Sequence, residues 1–111
     1  MTKEAIQTNI LLDSGTNEVE IVEFTIGKNY YGINVAKVRE IIRYPESIVP
    51  VPETHKSLEG VINLRGKVIP IVNLSEHLKM QVDYDAKISR IVVAEFNGLI
   101  VGFWVSTVTR I

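Results

Sequence analysis

The chain of 111 residues has no cysteine. That absence excludes a disulfide framework, a thiolate nucleophile and any cysteine-ligated metal. Histidine is almost as scarce. His55 and His77 are the two, far apart in sequence, and a zinc site needs three or four converging ligands. They read as loop residues, and neither metal nor cofactor is expected. Neither charge dominates: 12 basic side chains face 13 acidic ones, for a formal net charge of -1. The broad basic field of a nucleic-acid binder is therefore missing. Aromatics are few as well, and Tyr30-Tyr31 and Phe103-Trp104 are not interleaved with Lys or Arg as a single-strand stacking platform requires. Long apolar runs are absent. Ile10-Leu11-Leu12 is too short for the apolar stretch of a signal peptide, and nothing approaches a membrane span. The expectation is a cytoplasmic protein with no direct membrane insertion.

Catalytic signatures are missing too. No Gly-x-Ser-x-Gly elbow occurs, and the serines fall in loops or at strand ends. Gly60 to Lys67 is one residue too long for a phosphate-binding loop and is followed by Val68. Glu18, Glu20 and Glu23 crowd one segment, but alternation puts Glu20 and Glu23 on opposite strand faces. No catalytic residue is assigned, and an enzyme is not expected.

What is present is a core. Hydrophobic residues make up 46% of the chain, enough for one compact globular domain. Residues 1–18 are polar apart from the patch at Ile10 to Leu12 and read as a flexible lead-in. Val19 to Ile26 alternates, with Val22, Phe24 and Ile26 on one face, and Gly27-Lys28-Asn29 turns it into a second strand at Tyr30 to Ile33. The period then changes. Val35, Val38, Ile41 and Ile42 fall at i, i+3, i+6 and i+7 behind a capping Asn34, which predicts a short helix over 35–43 ended by Pro45. Ile48 to Pro52 is extended, and 53–59 a polar loop. Ser75 is placed as the cap of a single turn through Leu78. Ile88 to Phe96 and Leu99 to Val105 are strands joined by Asn97-Gly98, the strongest hairpin signal in the chain. Six or seven short strands with one helix predict a small β-barrel architecture rather than a layered α/β sheet.

Residues 60–74 are the most informative stretch. The β-branched runs Val61-Ile62 and Val68-Ile69, continuing through Ile71-Val72, flank a polar knot of Asn63, Arg65 and Gly66. This reads as strand, tight bend, strand, with Gly66 supplying the turn and an arginine held at the bend. A charge beside so much apolar surface needs a partner or a purpose. Glu40 is the candidate partner; the plain alternative is two independent solvated charges.

The residues here resemble a known family. Phe24 to Gly27, Tyr31 to Val35, Val38-Arg39-Glu40-Ile41-Ile42, Val49-Pro50 and the whole of Gly60 to Leu74 look like the CheW-like domain of bacterial chemotaxis. The likeness runs from about Val19 to Val108, and the leader 10–24 is more similar to the coupling domain of CheV. The resemblance implies a mainly β fold of two SH3-like, five-stranded barrels side by side, with 19–111 as the coupling domain. It implies a scaffold that binds the regulatory domain of the histidine kinase CheA and the cytoplasmic tip of chemoreceptors, recruited to receptor arrays at the inner membrane face. The partner-binding residues it implies are Val35, Val38, Arg39, Glu40, Gly60, Leu64, Arg65 and Gly66, with a Glu40–Arg65 contact. The alternative is a small barrel that binds a ligand or single-stranded nucleic acid.

Two departures stand out. Asn73-Leu74-Ser75 replaces the usual Asp and Leu-Arg. The chain also stops at Ile111, short of the usual barrel-closing strands, so the domain is expected to be incomplete at its C-terminus. Unclosed edges predict self-association. No receiver domain, with its phosphorylatable aspartate, lies within these residues.

Overall fold

The computed structural model describes residues 20–51 and 56–110; the leader 1–18, Pro52 and His55 lie outside them. Eight strands make two sheets. β1 (Ile21–Ile26), β2 (Asn29–Asn34) and β8 (Thr107–Arg110) form the first, in the order β2-β1-β8. β3 (Val38–Arg43), β4 (Leu58–Leu64), β5 (Lys67–Asn73), β6 (Arg90–Phe96) and β7 (Leu99–Val105) form the second, in the order β3-β6-β7-β5-β4. The mainly β fold in two subdomains is as expected.

Hairpins follow the turn chemistry. Asn97 and Gly98 take φ values of 51° and 82° between β6 and β7, the left-handed pair that matches strand twist. β1 and β2 pair antiparallel across Gly27, with Val22, Phe24 and Ile26 buried as their alternation requires. β5 and β7 run parallel, the one parallel pair among the described strands.

The expected helix over 35–43 is not formed. Asn34 does cap, its side chain accepting from Ala36 N at 2.9 Å, but the helical segment is a 3-10 turn of three residues, Val35–Lys37. β3 then begins at once. A register shift between Val38 and Glu40 puts one extra residue into the strand against β6. Val38 and Ile41 therefore fall on one face and Ile42 on the other. Because both faces of this strand are covered, apolar residues occur at 38, 41 and 42, the spacing of a helical stripe. A bulged strand between two cores thus imitates a 3.6-residue period.

The two cores share β6. Val92 and Ala94 point into a core with Val22, Phe24, Ile26, Ile33 and Val105, while Ile91 and Val93 point into a second with Ile62, Ile69 and Ile71. This explains the unbroken run Ile91-Val92-Val93-Ala94: each residue is buried, on alternating sides. All five strands of the larger sheet send side chains into the second core, including Ile42 and Leu64 from the two edge strands. The sheet therefore curls around its contents as a barrel. Gly102 makes room inside; a Cβ there would lie 2.7 Å from both Ile71 Cδ1 and Ile91 Cγ2.

A short helix, α1 (Leu74–His77), follows β5. Its cap is Asn73 rather than Ser75: Asn73 Oδ1 accepts from Ser75 N at 3.1 Å and from Ser75 Oγ at 2.6 Å. Tyr84 hydroxyl donates to the same oxygen at 3.1 Å and stacks on Trp104 with ring centroids 4.0 Å apart. Burial raises the Tyr84 phenol above the ordinary tyrosine range.

Candidate functional site

The barrel's edge strands, β3 and β4, are not hydrogen-bonded to each other. Side chains clasp them at both ends instead. At one end Tyr44, just past β3, donates its hydroxyl to Glu59 Oε2 on β4 at 3.0 Å and packs on Trp104. Burial first, then the hydrogen bond to the Glu59 carboxylate, push the Tyr44 phenol up to about 12. At the other end Arg65 reaches from the β4–β5 bend to Glu40 on β3. Its Nε donates to Oε2 at 3.0 Å and its Nη2 to Oε1 at 3.3 Å, a two-pronged carboxylate contact.

The bend that carries Arg65 is unusual. Leu64 pairs with Lys67, so Arg65 and Gly66 alone make the loop, with φ values of 53° and 82°. This tight turn wants Asn, Asp or Gly first, as Asn97 stands in the β6–β7 hairpin. Arginine in a left-handed conformation costs about 1 kcal/mol. Asn63 offsets part of this by accepting the Gly66 N–H at 3.1 Å. The Arg65 guanidinium gives the position its purpose.

Around that clasp lies a shallow groove lined by Arg39, Glu40, Leu64, Arg65, Lys67, Ile69, Val93 and Ile100. Its floor is the open end of the second core: buried Ile69 and Val93 with half-buried Ile100. Its rim is charged. A second ion pair, Arg39 to Glu95 on β6, stands beside the first. The Arg65 hydrogen bond holds the Glu40 carboxyl below the usual glutamate range, against some opposing burial, and the Arg65 and Arg39 charges add to it. Glu40 in turn raises the Arg65 guanidinium further above neutrality. Both groups are therefore charged at neutral pH. The groove holds about 100 Å³, room for one aliphatic side chain and well short of the roughly 300–1,000 Å³ of small-molecule pockets. An apolar floor inside a charged rim suits a protein surface with a projecting apolar residue.

Of the residues singled out from sequence, the structure brings Arg39, Glu40, Leu64 and Arg65 together on the groove, with Gly66 exposed at the hairpin tip beside them. Val35 and Val38 pack instead on the first core, behind β3. Gly60 is buried away from the rim, where segment 48–49 crosses β4. Sequence reading missed Lys67, Ile69, Val93, Ile100 and Glu95. Their convergence depends on the order β3-β6-β7-β5, which joins strands far apart in the chain. Among the described residues, no group of three or more potential metal ligands is found, and no helix is long and apolar enough to cross a membrane.

Comparison with known proteins agrees with this fold. The model of the CheW-like domain matches residues 20–111. A chemotaxis protein CheW of Thermotoga maritima is 36% identical over 97 residues, 87% of this chain and 63% of that protein. Chemotaxis protein CheV3 of Helicobacter pylori is 36% identical over 108 residues, 89% of this chain and 34% of that protein. The crystal structure of the scaffolding protein TtCheW from Thermoanaerobacter tengcongensis superposes with a TM-score of 0.77 at 35% identity, covering 83% of this chain and 62% of that one. The chain thus spans between about a third and two thirds of the length of these relatives. With the matched domain extending from the first β-strand through the groove and beyond, the chain belongs to the CheW-like domain family.

Proposed function

We propose that this chain is the coupling domain of a bacterial chemotaxis adaptor, with residues 19–111 as the domain and 1–18 as its lead-in. In this reading it works in the cytoplasm, recruited to receptor arrays at the inner membrane face. The groove at the barrel mouth docks the regulatory domain of the histidine kinase CheA or the tip of a chemoreceptor. It makes and breaks no bonds; its task is to hold partners at a fixed geometry. The observation that carries the reading is Arg65, kept in a backbone state unfavourable to arginine while its side chain bridges to Glu40 at the groove's lip. The printed names of its relatives, chemotaxis proteins CheW and CheV3 and a scaffolding protein, support it. In the same reading Val35, Val38 and Gly60 act by positioning, since they set β3 and β4 from behind. Self-association through the sheet edges β2 and β8 belongs to it too.

Calorimetric titration with the CheA regulatory domain tests the docking role. Arg65→Glu should weaken binding at least about tenfold, which is about 1.4 kcal/mol. Lys28→Glu, in the exposed β1–β2 turn on the other sheet, should leave it unchanged. Equal binding by wild type and Arg65→Glu rejects the groove as the docking site.

A further inference from the structure

The ion pairs at the barrel mouth leave one positive charge over. Lys67 opens β5 and pairs across the tight bend with Leu64. Strand alternation puts it on the same face as Ile69 and Ile71, which fill the second core, so its stem lies over the groove that it helps to line. An apolar side chain would continue the core at this register position; a cation stands there instead. Arg39 is paired with Glu95, and Arg65 with Glu40. The Lys67 ammonium has no carboxylate partner among the described residues, and the residue is exposed. Three cations thus meet two carboxylates at the mouth of a chain whose formal net charge is -1.

In the free protein, water serves that ammonium. A partner that fills the groove displaces part of this water, and a cation stripped of water without a counter-charge costs free energy. A basic residue on the partner would add repulsion, whereas a carboxylate turns the cost into an attraction and speeds encounter. We infer that the groove is specific for a protein surface on which an aliphatic side chain stands beside a carboxylate. The aliphatic group fills the space of about 100 Å³ over Ile69, Val93 and Ile100, and the carboxylate meets Lys67. On the partner the two belong one helical turn apart, or two positions apart along a strand, the spacings that put both on one face. The inference rests on the proposed docking role of the groove and adds to it the charge of what docks.

Titration against the CheA regulatory domain and against the receptor tip tests this, and a partner held by the groove is one that Arg65→Glu weakens. Against such a partner in about 0.1 M salt, Lys67→Glu should weaken binding at least about tenfold, Lys67→Met about threefold, and Lys67→Arg less than about twofold. In about 1 M salt, where the screening length falls from about 10 Å to about 3 Å, the Lys67→Glu loss should shrink to about threefold or less. Lys28→Glu changes the net charge by the same amount on the other sheet and should bind like wild type. Wild-type binding by Lys67→Glu, where Arg65→Glu is weakened, overturns the inference and leaves the docking role standing. Equal losses for Lys67→Met and Lys67→Glu at both salt concentrations overturn it too, since Lys67 would then act by packing. So does an equal loss for Lys28→Glu, which would assign the effect to net charge. If Arg65→Glu weakens neither partner, the docking role falls, and the inference with it.

Discussion

Arg65 stands where a tight hairpin turn would be cheaper with asparagine. Its guanidinium spans the gap between strands that share no backbone hydrogen bond. The pair is solvent-facing, with Arg65 77% exposed, so it shapes the barrel mouth more than it stabilises the fold. Gly60 matters for a different reason. A Cβ there would lie 2.4 Å from Ile48 Cγ2 and 2.6 Å from the Val49 carbonyl oxygen, and the backbone atom has nowhere to go. Gly60→Ala should cost about 1–3 kcal/mol, read as a fall of at least about 4 °C in the melting temperature. A melting curve like that of wild type would mean that segment 48–49 does not lie against β4 as described.

At the scale of elements, Asn73 joins three pieces: it ends β5, caps α1 and accepts from the Tyr84 hydroxyl. Asn73→Ala should cost about 1–2 kcal/mol in chemical denaturation. Asn73→Asp, which keeps an acceptor oxygen in place, should cost clearly less; equal losses would mean the cap is not what the side chain supplies. The hairpins were legible in sequence because their signals are local. Asn97-Gly98, Gly27-Lys28-Asn29 and Arg65-Gly66 each sit between β-branched or aromatic runs. β3 was not legible, because its bulge and its two covered faces produced the spacing of a helix. β8 was missed because Thr107 to Arg110 is short and weakly apolar, and gains its strand state by pairing with β1, aided by the 2.7 Å contact between the Thr25 and Thr107 hydroxyls. The Glu40–Arg65 contact was within reach of a sequence reading; the groove floor was not, since Val93, Ile69 and Ile100 meet only through the nonlocal order of the large sheet.

At the scale of the molecule, β3, β6 and β7 each send side chains into both cores, so the three-stranded sheet and the barrel stand or fall together. The barrel's edges are clasped by side chains, whereas β2 and β8 end the smaller sheet without such a clasp among the described residues. Strands of that kind pair with other chains. Light scattering on a size-exclusion column should show mass rising above that of one chain as concentration rises; a clean monomer at high concentration contradicts the proposed self-association.

In the proposed function Glu40 and Arg65 act as one unit to present a docking groove. The direct measurement is a double-mutant cycle on affinity for the CheA regulatory domain, with Glu40→Arg, Arg65→Glu and the two combined. If the pair sets the groove, each single swap weakens binding and the reversed pair recovers part of the loss, giving a coupling of about 1 kcal/mol or more. Strictly additive losses would show that the two residues act independently, and single swaps that bind like wild type would show that the groove is not the docking site.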